Sequence, residues 1–507
     1  MSGADAPLSR AQRKRYGVLD IGSNSVRLVI YDVYGSSFVP IYSEKIHAGL
    51  GRELAKTGRL SPEGCRQTQG ALKRFALICD AQSVQNVLIA ATAAMREAKD
   101  AADYVKTIKS ETGFDLTPIS GQEEARLSAM GLIAAMPRAK GIAADLGGAS
   151  LELISVTNHQ PAKGYSFPLG PFPMGGTDLK DGRFSPKDLR AKINAVLDGG
   201  AAPRGALAGQ TLYLIGGAWR NLALIHQQKR DYPLGTMQGY EMSVFDALEM
   251  ANWAYGAGRA EVMHWPGIAM RRSETLPYGA LMLSALIERF TPNRVVVSRT
   301  GLREGMIYDA LSPEQRARDA LLDGCRDLAA GNLQGGASFA RPLFKFLEPA
   351  SRAFPPVFPA VDEDRLRRAA CILAGMGKGL HPSYRAALIF EDVLYAPLSG
   401  LTHKERSYLA LILFRSITGK QSPPNERAVQ LLLSPAEQTA ASIYGLAIRL
   451  AVVASGRSAS LLRQLTLRIQ DGQPILTTSD SHQNLNGPRT RLRLKRLKDA
   501  LAAVQSG

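Results

Sequence analysis

The chain has 507 residues, 45% of them hydrophobic and 21% charged, with a formal net charge of +17 at pH 7. This length predicts several domains of roughly 150 residues each, with enough apolar side chains for separate cores. Four scattered cysteines without a CxxC pair exclude a disulfide framework and a zinc-binding domain. Because there is neither a signal-peptide pattern nor a long apolar run, we expect a cytoplasmic protein that does not enter a membrane.

The positive charge is the first functional indication. A chain with a pI of about 9.7 attracts polyanions such as nucleic acid, a membrane surface or a phosphate polymer. The same charge also serves solubility alone, so composition leaves both interpretations open. Residues 1–15 are predicted to form a solvated basic tail.

Residues 16–310 alternate between short apolar strands and helix-like segments, which is typical of an α/β fold. Two strand–turn–strand units recur within this region, "GVLDIGSNSVRLVIYDV" from residue 17 and "GIAADLGGASLELISV" from residue 141. The repeat predicts a duplicated subdomain, with the first copy at 16–135 and the second at 136–310. Whether the final segment of the second copy returns to the first is left open.

In both units an aspartate, Asp20 or Asp145, ends a strand, and small residues form the turn after it. Such turns can aim backbone N–H groups and hydroxyls at an anion, although a single one is also typical of an ordinary hairpin. Asp145 and Glu152 flank the second turn, where their carboxylates can reach one Mg²⁺. Asp20 is a candidate for orienting a metal-bound water. The turn residues predicted to bind phosphate are Gly22, Ser23, Asn24, Ser25, Gly147, Gly148 and Ser150.

Two further segments carry candidate catalytic side chains. Ser120 and Glu123 have the spacing of a capping box at a helix start, which predicts that Glu123 is engaged there. The neighbouring Glu124 would stay free to position or deprotonate a water, or would simply be a solvated helix carboxylate. Thr92 and Arg96 follow the strand "NVLIAAT", where Arg96 is suited to bidentate phosphate contact or is an ordinary surface arginine.

The remaining pattern predicts one more turn and two C-terminal domains. Gly216 and Gly217 end another strand and would let the backbone approach a ligand closely. Residues 311–455 have apolar positions at helical spacing, and residues 456–507 predict a hairpin at Asp471–Gly472 followed by a closing helix. The basic face of that helix either faces solvent or guides a polyanion; it consists of Arg489, Arg491, Arg493, Lys495, Arg496 and Lys498.

Four segments, "DIGSNSVRLVI", "ATAAMREA", "SGQEEARLSAMG" and "DLGGASLELI", together resemble the exopolyphosphatase/guanosine-pentaphosphate phosphohydrolase (Ppx/GppA) family in order and spacing. The resemblance continues through "GGAWRNLA", "RRSETLPYGALML" and "SRTGLREGMIYDAL" and covers about residues 15–310. It implies a duplicated α/β fold of the actin/sugar-kinase/Hsp70 (ribonuclease H-like) type. A mostly helical HD-like domain and a small C-terminal α+β domain would follow.

The resemblance also implies roles for individual residues. Glu124 matches the catalytic carboxylate and Arg96 the phosphate-binding arginine, while Asp145 and Glu152 fall where the family holds Mg²⁺. Arg272 and Glu274 match an Arg-x-acid motif of less defined role. Where related helical domains carry a His–Asp pair, this chain has Ala374 and Gly375, so we expect no second metal site. A homodimer is expected from the resemblance alone.

Together these features predict an exopolyphosphatase, which uses Mg²⁺ to release orthophosphate processively from the ends of inorganic polyphosphate. A requirement for a monovalent cation such as K⁺ is left open. Hydrolysis of guanosine pentaphosphate in the same cleft is the nearest alternative. A sugar kinase shares the fold but fits the "EEAR" helix less well. A non-catalytic regulator that binds polyanions would not need all three acids, Glu124, Asp145 and Glu152. We expect no specific nucleic acid and no membrane as a partner.

Overall fold

The computed structural model describes residues 13–175, 185–200, 209–257, 259–268, 274–331, 336–419 and 422–505. The described residues divide into two compact units, the first ending at Ala317 and the second beginning at Arg318. The boundary predicted at 310/311 lies slightly before the observed one. The last residues of the basic tail predicted at 1–15 belong to a strand, which begins at Lys14, and Arg15 pairs with Asp32 at 2.9 Å. Residues 1–12 lie outside the described residues.

A four-stranded sheet forms the first half of the first unit. Its strands are β1 (Lys14–Ile21), β2 (Val26–Tyr34), β3 (Ser37–Ile46) and β4 (Asn86–Ala91), in the order β3-β2-β1-β4. β1 and β2 form an antiparallel hairpin around the first predicted turn. β4 lies parallel to β1 on its other side, so the carboxyl ends of these two strands lie at the same edge of the sheet.

A seven-stranded sheet repeats this arrangement. Its strands are β5 (Gly141–Leu146), β6 (Leu151–Thr157), β7 (Gln160–Pro161), β8 (Tyr165–Phe167), β9 (Thr211–Gly216), β10 (Tyr240–Ser243) and β11 (Arg294–Ser298). β5 and β6 form the second predicted hairpin, and β9 lies parallel to β5 as β4 does to β1. The same hairpin with one parallel neighbour therefore occurs twice, which confirms the duplicated α/β fold.

Helices cover both sheets. Those of the first unit are α1 (Leu54–Thr57), α2 (Pro62–Ala81), α3 (Ala93–Glu97), α4 (Ala101–Thr112), α5 (Gly121–Ala135), α6 (Pro186–Gly199), α7 (Gly217–Lys229), α8 (Val244–Gly256), α9 (Arg259–Met263), α10 (Leu276–Phe290), α11 (Leu302–Ala310) and α12 (Pro313–Arg316). Their starts follow capping chemistry: the Ser61 side chain accepts from the Gly64 N–H, and Pro62 occupies the first helical position.

The last long helix of the first unit packs on the first sheet. Ile307 of α11 is buried in one cluster with Val18 of β1 and Leu127 of α5, and the Tyr31 hydroxyl donates to Glu304 Oε1 at 2.6 Å. β11, which precedes this helix, pairs instead with β9 and β10 in the second sheet. The final helix therefore returns to the first subdomain, whereas the final strand stays in the second.

The second unit is mostly helical and ends in a hairpin and a helix. Its elements are α13 (Ala320–Gly331), α14 (Gly336–Ser351), α15 (Ala360–Leu373), α16 (Arg385–Tyr395), α17 (His403–Thr418), α18 (Glu426–Leu432), α19 (Pro435–Ser455), α20 (Ala459–Leu462), β12 (Leu465–Gln470), β13 (Gln473–Thr478), a 3₁₀ segment (Asp480–Asn486) and α21 (Pro488–Gln505). The hairpin and α21 pack on the helices, so the two C-terminal domains predicted from the sequence share one compact unit.

One described helix, α19, has the length and apolar composition that a membrane span requires. It packs between α17 and α21, and 61% of its most apolar window is buried within the protein. A capping box also begins the helix, because the Ser434 hydroxyl accepts from the Glu437 N–H and the Glu437 carboxylate accepts from the Ser434 N–H. These features are those of a core helix.

Candidate active site

The two predicted turns have the same backbone geometry. In the first, the Gly22 N–H donates to the Ser25 carbonyl at 3.0 Å, and in the second the Gly147 N–H donates to the Ser150 carbonyl at 3.0 Å. Each turn joins two antiparallel strands. The resemblance of the two sequences therefore extends to the hydrogen bond that closes each turn.

In both turns, backbone N–H groups of a neighbouring segment donate to the turn carbonyls. The Ser23 and Asn24 carbonyls accept from the N–H groups of Gly51 and Gly49, and the Gly148 and Ala149 carbonyls accept from those of Phe172 and Gly170. Within the described residues, no hydrogen bond uses the N–H groups of Ser23, Asn24, Gly148 or Ala149. Each turn thus keeps two adjacent backbone donors available, which is how a loop binds an anion.

β4 and β9 bring the other predicted residues to the ends of β1 and β5. The Thr92 N–H donates to the Ile21 carbonyl at 3.0 Å, so Thr92 lies beside the first turn. Gly216 pairs with Leu146 at the edge of the second turn. Its φ of 130° and the nearby Leu146 carbonyl exclude a side chain, whereas a Cβ on Gly217 would meet no atom within 4 Å.

Glu124 lies on α5 and is nearly enclosed, with 14% of its side chain exposed. Arg96 Nη1 lies 3.6 Å from Glu124 Oε2 and donates to the Ile119 carbonyl at 2.9 Å. Oε2 is buried and accepts no hydrogen bond. Because a buried carboxylate oxygen normally has a donor, this one is suited to accept from a substrate or a water.

The start of α5 differs in one respect from the capping box predicted for it. Ser120 does cap the helix by accepting from the Glu123 N–H at 3.1 Å. The Glu123 carboxylate, however, binds the Arg126 guanidinium at 2.7 and 2.8 Å instead of the Ser120 N–H. Arg126 also pairs with Asp309 of α11 at 2.8 Å, so a long-range ion pair holds Glu123 away from the cap. Glu123 and Glu124 still point to different partners.

Glu124 has an unusual protonation equilibrium. Burial, followed by the charge of Asp145, raises its pKa to about 7, although Arg96 opposes the shift. A carboxylate with a pKa near 7 can accept a proton at neutral pH and release it again. This property and the oxygen that accepts no hydrogen bond make Glu124 the best candidate for a general base among the described residues.

The second hairpin brings two acids together. Asp145 and Glu152 are direct cross-strand partners, and their serine donors come from other elements. Ser128 of α5 donates to Asp145 Oδ2 at 2.6 Å, and Ser166 of β8 donates to Glu152 Oε1 at 2.8 Å. Burial raises the pKa of both carboxyl groups, and the charges of Glu124 and Asp145 raise that of Glu152 further.

The first hairpin has a different charge pattern. Asp20 is the cross-strand partner of Arg27, and its Oδ2 lies 3.7 Å from Nη1 of Arg303 on α11. Asp20 therefore has an arginine as its cross-strand partner, whereas Asp145 has another acid, although Arg220 and Arg303 also act on Asp145. This difference separates the two copies of the repeat chemically.

The metal prediction can be tested against this donor set. No three His, Cys, Asp or Glu side chains form a preformed metal centre within the described ranges. Asp20, the third predicted metal residue, lies beside Arg303, and its charge raises the pKa of both Glu124 and Asp145. The Asp145–Glu152 pair fits a hard divalent cation, because Mg²⁺ in phosphate sites uses one or two carboxylates and fills its other positions with water and phosphate oxygens.

Two predicted residues are not placed in this site. Glu274 is an exposed turn residue before α10, and Arg272 lies outside the described residues. Conversely, the sequence interpretation gave no role to Ser128, Ser166 or Arg303. Each acts through a contact that sequence spacing does not reveal. Only Ser128 could have been found from the sequence. It follows Glu124 by four residues, so both side chains lie on one face of α5.

The raised pKa of Glu124 predicts a stability effect. The folded state binds this proton more tightly than an unfolded chain with a pKa near 4.5, so the contribution to stability is complete at low pH and is lost as pH rises to about 7. The free energy of unfolding falls by about 3 kcal/mol over this pH range. A Glu124→Gln variant should therefore gain thermal stability over wild type between pH 5 and pH 8, when melting is measured in EDTA. Glu123→Gln is the adjacent control, and an equal Tm difference at both pH values would contradict the prediction.

Comparison with known proteins gives a consistent result. The Ppx/GppA phosphatase family matches residues 29–314, and the family described as exopolyphosphatase, C-terminal, matches residues 336–505. The chain is 27% identical over 321 residues to exopolyphosphatase 1 of Mycobacterium tuberculosis, covering 59% of this chain and 89% of that protein. It is 25% identical over 452 residues to retrograde regulation protein 2 of Saccharomyces cerevisiae, covering 82% of this chain and 74% of that protein.

Solved structures share the fold of the first unit. An exopolyphosphatase from Cytophaga hutchinsonii superimposes with a TM-score of 0.51 at 24% identity, over 59% of this chain and 99% of that one. The Aquifex aeolicus Ppx/GppA family member gives a TM-score of 0.51 at 22% identity, over 59% of this chain and 97% of that one. Because the family match spans more than half of the sequence and includes α5 and the second turn, the chain belongs to the Ppx/GppA phosphatase family.

Proposed function

We propose that the protein is an exopolyphosphatase, which hydrolyses the terminal phosphoanhydride bond of inorganic polyphosphate and releases orthophosphate. The observation that carries this proposal is the Glu124–Arg96 pair. An enclosed carboxylate oxygen that accepts no hydrogen bond forms an ion pair with a guanidinium nitrogen at 3.6 Å. Water activation and phosphoryl binding need these two functions side by side.

The reaction uses the residues in distinct roles. The N–H pairs of the two turns and Arg96 bind the oxygens of the terminal phosphoryl group. Glu124 orients a water and accepts its proton while the water oxygen forms a bond to the terminal phosphorus. The bridging P–O bond breaks, the shortened chain leaves with the electron pair, and the proton later leaves Glu124. Water supplies the only oxygen atom that is added.

Asp145 and Glu152 are the proposed ligands of a divalent cation, which we expect to be Mg²⁺. When bound, the ion would neutralise charge on the phosphate oxygens. Ser128 and Ser166 hold the two carboxylates in place, as outer hydrogen-bonding partners do around other metal ligands. The cation would also offset the repulsion between two acids that face each other across the hairpin.

Polyphosphate is the preferred substrate in this proposal for two reasons. A chain with a net charge of +17 attracts a polymer that carries about one negative charge per phosphate. The M. tuberculosis relative is also named an exopolyphosphatase. The similarity to a yeast regulatory protein over 82% of this chain favours a second candidate function, a regulator that binds polyphosphate without cleaving it.

Parallel assays of phosphate release distinguish these functions. Purified protein is given Mg²⁺ with long-chain polyphosphate or with guanosine pentaphosphate, and EDTA controls are run for each. We expect rapid release from polyphosphate, a higher Michaelis constant at higher salt, and loss of release in EDTA. Release from the nucleotide alone would overturn the substrate assignment. Salt-sensitive polyphosphate binding without release from either substrate would support the regulator instead.

A further inference from the structure

The two turns of the candidate site differ in the segment that lies against them. The carbonyl that follows the first glycine of each turn accepts from Gly51 in one copy and from Phe172 in the other. Gly51 therefore corresponds to Phe172, and their acceptors, Ser23 and Gly148, correspond to each other. The first turn carries a side chain where its neighbouring segment has a glycine, and the second turn shows the reverse.

Close approach of the two backbones explains this exchange. A Cβ on Gly51 would lie 3.0 Å from the Ser23 Cβ, and a Cβ on Gly148 would lie 2.7 Å from Cε2 of the Phe172 ring. At each turn there is room for a side chain on only one of the two segments. As a result, a hydroxyl borders the first turn and a phenyl ring borders the second.

The Phe172 ring is exposed, but its backbone is held in place. The side chain is 44% exposed, whereas Leu169, three residues earlier, is fully buried. The Leu169 carbonyl accepts from the Tyr278 hydroxyl at 2.7 Å, and the Phe172 N–H donates to the Gly148 carbonyl at 3.1 Å. The ring is therefore an apolar surface at a defined position beside the available N–H groups of Gly148 and Ala149.

A hydroxyl and a phenyl ring affect a phosphate chain differently. Each phosphoryl group inside the chain carries about one negative charge, and placing it against an apolar surface removes water without supplying donors. The Ser23 hydroxyl can donate to a phosphate oxygen, but the ring of Phe172 cannot. A chain that continues past the second turn is therefore disfavoured, whereas one that continues past the first turn is not.

We propose that Phe172 is a specificity-determining residue, which closes the second turn to a continuing phosphate chain. The terminal phosphoryl group stops against the ring, and the rest of the chain leaves past Ser23. An internal phosphoryl group has chain on both sides and is excluded. This inference rests on the proposed function, and it assigns the preference for chain ends to one side chain.

End-blocked polyphosphate tests this assignment. Both terminal phosphoryl groups of a long chain are converted to phosphoramidates, so every phosphoryl group is substituted on both sides. Orthophosphate then appears only after water cleaves a first P–O–P bond and creates a free end. With Mg²⁺, we expect wild type to release phosphate much faster from free-ended than from blocked chains. Phe172→Ser, which places a hydroxyl at both turns, should raise the blocked-to-free rate ratio roughly tenfold.

Two further variants serve as controls. Phe172→Leu keeps an apolar side chain and should retain the wild-type rate ratio. Phe245→Ser removes a phenyl group that is 75% exposed on α8, and it should change neither rate. Binding measured in EDTA provides a readout without hydrolysis. Wild type should bind tripolyphosphate more tightly than trimetaphosphate, a cyclic phosphate without chain ends, and Phe172→Ser should narrow this difference roughly threefold.

The outcomes separate this inference from the proposed function. An unchanged blocked-to-free rate ratio in Phe172→Ser would overturn the role of the ring. Selective loss of phosphate release from guanosine pentaphosphate in this variant would also overturn it, because the ring would then be a surface for a nucleobase. If wild type released no phosphate from free-ended chains, the proposed function would fail, and the binding comparison in EDTA would decide the role of Phe172.

Discussion

Replacing Glu124 by glutamine should lower the rate of phosphate release from polyphosphate by about 10²–10⁴-fold, the usual contribution of a general base. Glutamine keeps the shape of the side chain but cannot accept a proton at neutral pH. The Arg96 guanidinium and the four turn N–H groups are unchanged, so substrate binding should be largely retained. Steady-state phosphate release and polyphosphate binding, measured on one preparation, check both parts.

Glu123→Gln is the control for this experiment. It removes the same charge from the neighbouring residue, but Glu123 binds Arg126 rather than the site. We expect this variant to retain activity within a few-fold. A comparable loss in both variants would indicate that the start of α5 matters only structurally. Unchanged activity in Glu124→Gln would remove Glu124 from the mechanism.

The pH dependence of wild-type activity provides an independent check. A general base must be ionised before it accepts a proton, and the pKa of Glu124 without bound ligand is about 7. The value of kcat/KM should therefore rise with pH up to about 7 and then level. A bound cation would lower this pKa by favouring the charged carboxylates around it, so the rise should move to lower pH as Mg²⁺ is increased.

The parts of this site that could be predicted from sequence are those formed by local chemistry. Each turn follows a strand that ends in an aspartate, and small residues form the turn. Because this pattern occurs twice, the repeat could be recognised from the sequence. Ser120 was recognised as a helix cap because the cap and the N–H that it accepts from are only three residues apart. Arg96 and Glu124 were found individually, but their contact at 3.6 Å depends on the packing of α3 and α5.

The missed features depend on contacts that are distant in sequence. The interpretation of Glu123 as a capping side chain was wrong because Asp309, far along the chain, supplies a second carboxylate that holds Arg126 in place. Arg303 reaches Asp20 only because α11 returns to the first sheet. The basic pattern of α21 was visible, but its packing against α19 could not be predicted from the sequence.

Two glycines within helices allow α11 to pack closely against α5. A Cβ at Gly305 of α11 would overlap the Leu127 carbonyl oxygen, and one at Gly131 of α5 would overlap the Gly301 carbonyl oxygen. The two helix backbones therefore touch directly at this crossing. In a sequence, a glycine within a helical pattern indicates only a weaker helix. Here it permits the contact that places Arg303 and Glu124 in one site.

Gly305→Ala should therefore be strongly destabilising, although alanine is the better helix former. The added methyl group meets backbone atoms, with the Leu127 carbonyl carbon at 2.7 Å and the Gly131 nitrogen at 2.9 Å, and backbone cannot rotate away as a side chain would. We expect a loss of about 3 kcal/mol, at the upper end of overpacking effects. For a unit of this size, that corresponds to a fall in Tm of roughly 5 °C.

The same glycine-to-alanine substitution within another helix provides the control. Gly70 lies within α2, and a Cβ there would meet no atom within 4 Å. Gly70→Ala should therefore raise stability by about 0.5–1 kcal/mol through helix propensity alone. The opposite signs distinguish backbone overlap from a general effect of the substitution. Folded Gly305→Ala should also lose activity, because the added methyl group would displace α5, which carries Glu124 and Ser128. A Gly305→Ala variant as stable as Gly70→Ala would show that the helices can separate without cost, and the crossing would then not be what positions the site.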